Sequence, residues 1–343
     1  MKIFYAVQAT GNGHISRAVE LLPYLQQYGQ VDVFLSGENS HLPTSLPVKY
    51  KSRGVSLFYG NRGGLNYFKM WQKFSIKRIW KEAKALPVED YDIVINDFEC
   101  ITSLACKFKG IPSVHFGHQA SFMSKKVPRP TKKNPLGEWV LSNYATGTRS
   151  VGLHFKQYDD NIFSPVIKPS ILNATPVNEG YITVYLGHYA DHLVVKQLQR
   201  LKNFKFHLFS NQVEHVQQAE NIKLLPLSQA MFDDSLINAH GVITGAGFET
   251  PAEALYLGKQ LMVLPMHGQY EQACNAAALK EFNVAVVDAI DDYFPVYFNK
   301  WIFDGRQSLG FSLSTPVEKI VESVVHGQVS TFVKSPLDLI TSA

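Results

Sequence analysis

Cysteine is scarce in this chain. Cys100, Cys106 and Cys274 are odd in number and fall in no C-x-x-C spacing. That excludes a disulfide framework and a zinc ribbon, and it predicts a reduced, cytoplasmic setting. Long apolar runs are missing too. No stretch approaches the roughly 18 residues needed to cross a bilayer, and the opening MKIFYAVQAT meets Gly11 too early for the apolar region of a signal peptide. Charged residues make up only 18% and hydrophobic ones 45%, which excludes a disordered chain. A net charge of +4 without any recognition motif predicts no nucleic-acid partner.

The 343 residues that are present suit two domains. Charge divides between them. Residues 1–165 carry 21 Lys/Arg against 12 Asp/Glu, and the remainder carries 12 against 17. The basic excess gathers in YGNRGGLNYFKMWQKFSIKRIWKEAKAL and in SKKVPRPTKK. From Tyr67 to Lys84, Lys, Arg, Trp and Phe recur at helical spacing. Residues 67–84 thus suit either a helix lying on an anionic membrane surface or a surface helix with its aromatics in the core.

Apolar runs and helical stretches alternate twice along the chain. KIFYAVQA, VDVFLS, DIVIND, IPSVHF and SVGLHF read as strands of a first unit, with helices from about His14 to Tyr28 and near ITSLACKFKG. Residues 159–179 are rich in Pro, Asn and Ser and read as a linker. YITVYLG, KFHLFS, IKLLP, GVITG, QLMVLP and VAVVD follow as strands of a second unit, and STPVEKIVESVV as a closing amphipathic helix. The pattern predicts an α/β chain with two doubly wound parallel sheets, divided as 1–165, a linker over 166–180, and 181–343. Ligands are expected at the carboxyl ends of the strands.

Three strand ends carry polar chemistry. In TGNGHISRA, Gly11 and Gly13 allow a tight turn that delivers His14 to a helix start, where an imidazole suits general-base work or a local hydrogen bond. In INDFE, Asp97 could orient that imidazole or cap a helix. In GAGFETPAEAL, Thr250 and Glu253 fit a capping box with Pro251 in the first turn, whereas Gly245 and Gly247 before a helix start also suit a phosphate. The next strand end leads to Glu271, Gln272 and Asn275, and a Glu–Gln pair can read neighbouring hydroxyls. The acidic pairs Asp159–Asp160, Asp233–Asp234 and Asp291–Asp292, and Asp90 with Asp92, lie in linker, helix or pre-strand contexts, so no metal site is expected.

GAGFETPAEALYLGKQLMVLPMHGQYEQACNA resembles the donor-binding signature of UDP-sugar-dependent glycosyltransferases with two facing Rossmann-like domains, the glycosyltransferase-B (GT-B) fold. TGNGHISRA resembles the glycine-rich N-terminal loop of the same enzymes. In size and layout the chain is similar to the group containing the N-acetylglucosaminyltransferase of peptidoglycan synthesis. The resemblance implies an inverting hexosyl- or N-acetylhexosaminyltransferase that uses a nucleotide sugar and needs neither metal nor cofactor. It implies an unidentified acceptor, lipid-linked or of the cell envelope, met at the inner face of the membrane.

By the same resemblance, Gly247 and Thr250 contact the diphosphate, Glu253 holds the ribose, Glu271 and Gln272 hold the donor sugar, and Asn275 supports the loop. Gly187 and His188 close over the phosphates, the strand end at Leu227 meets the base, and His14 is the base oriented by Asp97. Two positions depart from the pattern. Gly245 stands where many relatives carry His or Arg, and Glu249 where some carry Asn, so Glu249 is expected to point away from the diphosphate. An epimerase or hydrolase, or a nucleotide-sugar-binding protein without catalysis, would use the same architecture.

Overall fold

In the computed structural model, which describes residues 1–9, 11–37, 45–55, 75–304 and 308–327, the alternating pattern builds two sheets. The first comprises β1 (Lys2–Gln8), β2 (Gln30–Ser36), β3 (Val48–Ser52), β4 (Ile93–Asp97), β5 (Val114–Gly117), β6 (Arg149–Leu153) and β7 (Ile162–Phe163). Their order is 3-2-1-4-5-6-7 and every pairing is parallel. The second comprises β8 (Tyr181–Tyr185), β9 (Lys205–Ser210), β10 (Gln217–Ala219), β11 (Ile222–Pro226), β12 (Gly241–Gly245), β13 (Gln260–Leu264) and β14 (Ala285–Val286). It runs 10-11-9-8-12-13-14, with only β10 antiparallel among the described strands. The central strands are buried on both faces, which is why they read as continuous apolar runs rather than alternating ones.

The helices, in chain order, are α1 (Asn12–Gln26), α2 (Ile76–Ala85), α3 (Cys100–Lys109), α4 (Pro135–Asn143), α5 (Pro169–Leu172), α6 (Asp191–Leu198), α7 (Gln229–Asn238), α8 (Glu249–Tyr256), α9 (Tyr270–Leu279), α10 (Phe294–Phe303) and α11 (Val317–His326). Each sheet reverses its strand order once near the middle, between β1 and β4 and between β8 and β12. Such switch points leave a crevice beyond the strand ends, because successive helices depart to opposite faces.

Several expectations need correction. The stretch read as a linker contains β7, which pairs with β6, and the short helix α5. Residues 67–74 of the expected basic helix lie outside the described residues, and α2 begins at Ile76. The closing helix α11, grouped with the second unit, packs instead on α1 of the first. Tyr28 meets His326 ring to ring at 5.3 Å, and Arg149 Nη1 donates to the Ser323 carbonyl at 2.9 Å. Its buried Ile320, Val321 and Val324 supply the apolar stripe that the sequence showed.

Candidate active site

The wall formed by the first sheet is built around an imidazole and a carboxylate. α1 starts directly after β1 with extended Gly11 as its N-cap and no side-chain cap. His14 and Arg17 are three residues apart and so share one helix face. That face meets the end of β4, where Val7 of β1 pairs with Asp97. His14 Nδ1 lies 2.9 Å from Asp97 Oδ1, and Asp97 is fully buried. The carboxylate fixes the proton on Nδ1, which leaves the Nε2 lone pair directed to the cleft, 3.5 Å from the Gln119 amide nitrogen.

Arg17 Nη2 donates to both Asp97 oxygens, at 2.9 and 2.8 Å. Burial alone would raise the Asp97 pKa, but the charges of Arg17 and His14 outweigh it and hold the group down at about 2. Gly117 on β5 makes this pairing sterically feasible. Its φ is +115°, and a Cβ there would stand 2.7 Å from Asp97 Oδ1 and 3.2 Å from Arg17 Nη2. The capping role open to Asp97 falls to Glu99, whose carboxylate accepts from the Ile101 and Thr102 amides at the start of α3. Between the two acids Phe98 adopts left-handed backbone, φ 54°, and its ring lines the cleft. A phenylalanine held there stores backbone strain of a kind concentrated at functional sites.

The facing wall is the β12–α8 turn. The capping-box expectation is not met. Phe248 occupies the N-cap, no side chain caps α8, Thr250 is its second residue, and Glu253 turns inward. Glu253 Oε1 lies 3.1 Å from Lys168 Nζ, which also meets Asp233 Oδ1 at 2.5 Å. Burial pushes Glu253 up to about 7 against the pull of Lys168. Gly247 has nothing within 4 Å of the position a Cβ would take, so its backbone borders open space. α3, α4 and α7, by contrast, are capped by the side chains of Glu99, Asn134 and Ser228. Uncapped first-turn amides at a crevice are donors oriented towards an anion.

The two walls share two adjoining cavities. Gly11, Gly13, His14 and Arg17 of the first wall face Gly247, Phe248, Glu249, Glu271 and Gln272 of the second. Beside them a second cavity is lined by Leu227, Thr250, Glu253, Lys168 and Tyr185, with Asn12 and Ser16 from α1. Gln272 Oε1 accepts from the Met266 amide at 2.8 Å, which aligns this side chain at the cleft edge.

Asn275 does not line the cleft. It is fully buried, donates to the Ala246 carbonyl at 3.0 Å and meets His118 Nε2 at 2.7 Å. Its place is structural, bracing the loop before α8. His118 comes from the first sheet's side and stacks on Phe248 with centroids 4.0 Å apart and planes 8° off parallel. Gly187 is exposed, while His188 is buried against Gly245, its Cε1 3.3 Å from where a Gly245 Cβ would sit. Burial pushes His188 down to about 4, so it faces that turn as a neutral ring near pH 7. Glu249 lines both cavities beside the open turn. It reaches across the cleft and bonds Arg17 Nη1.

The structure thus assembles most of the expected residues and adds three that sequence reasoning missed: Arg17, His118 and Lys168. Arg17 carried a signal, since its spacing from His14 sets both on one face. Lys168 sits in the Pro- and Asn-rich stretch with no local pattern, and only the chain's return past α8 reveals it.

The family model described as "Glycosyl transferase family 1" matches residues 1–295. A solved glycotransferase of kitacinnamycin is 16% identical over 99% of this chain and 98% of its own, with a TM-score of 0.56. Phytolacca americana UGT2, solved with UDP-2fluoro-glucose and pterostilbene, is 13% identical over 96% of this chain and 90% of its own, at 0.52. MurG of Acinetobacter baumannii is 16% identical over 95% of both chains, at 0.50. These likenesses speak to the two-sheet GT-B fold. The search of curated proteins returns no match.

Proposed function

Because the chain belongs to Glycosyl transferase family 1, and so is a glycosyltransferase, we propose that it transfers a sugar from a nucleoside diphosphate sugar, UDP-linked, to an acceptor hydroxyl with inversion at the anomeric carbon. The observation that carries the proposal is the opposition of the uncapped α8 start and the His14 imidazole across one cavity. The diphosphate rests on the amides of Gly247 to Thr250, with helix polarity adding to their hydrogen bonds. Glu253 receives the ribose hydroxyls, Leu227 borders the base, and Glu271 with Gln272 reads the sugar. The UDP-sugar in the Phytolacca complex supports the choice of nucleotide.

The acceptor approaches from the side of Gln8, Phe98 and Gln119. Its oxygen forms a bond to the anomeric carbon as the bond to the diphosphate breaks, the electron pair leaves with the nucleoside diphosphate, and His14 Nε2 takes the hydroxyl proton. Asp97 stabilises the imidazolium formed. No metal is required where the α8 amides carry the leaving charge. The decisive test pairs calorimetry with turnover. UDP binds the parent and His14→Ala with similar affinity, while His14→Ala loses transfer; retained transfer removes His14 from the mechanism.

A membrane-bound acceptor fits one surface. Ile76 and Trp80 are exposed a helical turn apart on α2, Trp80 packs 4.6 Å from exposed Phe108, and Lys84 stands 5.4 Å over the Trp80 ring. Lys77 and Lys81 are exposed on the same helix. Aromatic and aliphatic groups ringed by lysines suit an anionic lipid surface at the inner face of a membrane. No helix among the described residues is long and apolar enough to cross one. Co-sedimentation with vesicles containing phosphatidylglycerol checks this: parent binds, and Trp80→Ala with Lys77→Glu and Lys81→Glu does not.

A further inference from the structure

The Arg17 guanidinium touches three groups on three different elements. Nη2 holds both oxygens of Asp97 at the end of β4 and lies 3.1 Å from His14 Nδ1, while Nη1 bonds Glu249, the first residue of α8. Arg17 and Asp97 belong to the first sheet's wall and Glu249 to the second, so this ion pair crosses the cleft. Where the walls touch they are close: a Cβ on Gly13 would lie 3.0 Å from Glu249 Cγ. Among the described residues, the other titratable groups lining the cavity are His118 beside Phe248 and Glu271 on α9, and Tyr5, buried on β1, feels the charges of Asp97 and Arg17.

Glu249 poses an electrostatic problem that Arg17 resolves. A carboxylate in the first turn of a helix complements the helix dipole, but here it competes for the field in which the diphosphate is proposed to rest. A lysine ammonium can meet two carboxylates, as Lys168 does, but it holds neither in a fixed plane. The planar fork of arginine serves two carboxylates at once with fixed geometry. A buried ion pair of this kind adds little net stability, because desolvation offsets the attraction. Its consequence lies in charge placement.

We propose that Arg17 is a positioning residue shared between the lobes: with the lobes together it cancels the charge Glu249 would turn on the donor's diphosphate and simultaneously holds Asp97 against His14. The proposal rests on the donor-site reading given above. It makes one lobe's readiness for the donor and the other's alignment of the base properties of the same closed arrangement. With the lobes apart, Glu249 faces the α8 amides unneutralised, so an open cleft disfavours the diphosphate until the first lobe supplies the guanidinium.

A two-residue cycle tests it, using UDP as the probe in calorimetry and transfer rate as the second readout on Glu249→Gln, Arg17→Met and the double variant, each checked for cooperative melting. Glu249→Gln is expected to bind UDP as tightly as the parent or about threefold tighter, with a reduced kcat, because Arg17 loses one of its two fixed partners. Arg17→Met is expected to weaken UDP at least about tenfold, and the double variant to recover to within about threefold of the parent while kcat stays depressed. Should Arg17→Met fail to fold with two stranded carboxylates, Glu249→Gln and the double variant, which strands only one, still decide. Weaker UDP binding by Glu249→Gln overturns the proposal, since Glu249 is then a donor contact. A double variant that binds as poorly as Arg17→Met also overturns it, since Arg17 then acts on the donor independently of Glu249. A parent that binds none of UDP, GDP or dTDP refutes the donor site itself, and this proposal with it.

Discussion

The two walls of the cleft begin from one architectural unit and finish as opposites. On both, a buried parallel strand ends at a sheet's switch point, a glycine turn follows, and a helix starts without a side-chain cap. On the first wall the side chains pair with one another: His14 and Arg17 both hold Asp97, and one imidazole nitrogen is left for chemistry. On the second wall the side chains turn aside, Glu249 to Arg17 and Glu253 to Lys168, and leave the main chain of the turn bare. Strand–turn–helix geometry therefore sets only where a group is delivered. The side chains of the first helical turn decide whether the place becomes a base or an anion cradle.

The sharpest break between the walls is kinetic. His14→Ala should cost about 10²–10⁴ in transfer rate with UDP affinity within about threefold of the parent, measured by steady-state kinetics and calorimetry. A loss of affinity of the same size would mean that the two walls do not divide their work in this way.

A single added methyl distinguishes the walls next. Gly117→Ala forces a Cβ into the Asp97–Arg17 contact at a positive φ, and should destabilise the fold by about 1–3 kcal/mol while lowering kcat. Gly247→Ala meets no protein atom within 4 Å and has no such backbone demand, so its melting temperature should match the parent's while UDP binds more weakly. Thermal melts and titrations of both variants check the pair. Equal destabilisation would erase the contrast.

Glu253 gives the pH-dependent version. Burial raises its pKa from 4.5 to about 7, so the folded chain holds more protons than the unfolded one between those values. Its contribution to stability therefore falls as pH rises from about 4.5 to 7 and then levels off. Melting temperature against pH should show that slope in the parent and lose it in Glu253→Gln. UDP affinity should rise more steeply through about pH 7 in the parent than in the variant, because the carboxylate that accepts the ribose hydroxyls ionises in addition to UDP's own terminal phosphate.

Much of this was legible in the sequence because it rests on local pattern. Alternating apolar runs announced both sheets, and the glycines before His14 and before Thr250 marked the two turns that now face each other. What escaped depends on chain segments meeting from afar. The T-x-x-E spacing of Thr250 and Glu253 matched a capping box, yet the helix starts one residue before Thr250 and Lys168, 85 positions upstream of Glu253, claims the carboxylate. Asn275 was expected to support the loop, but its partners could not be read, since only the fold brings His118 and the Ala246 carbonyl to its two ends. The departure at Glu249 was visible as an electrostatic problem, but its partner Arg17 was 232 residues away.

The central claim is that the α8 start receives the diphosphate opposite His14. The direct measurement is amide NMR of the labelled protein titrated with UDP, following the backbone N–H signals of Gly247, Phe248, Glu249 and Thr250. The account predicts that these shift most and saturate with the calorimetric affinity, while the side-chain-capped start of α3 at Ile101 and Thr102 stays still. Saturating UDP with no movement at 247–250 would contradict it.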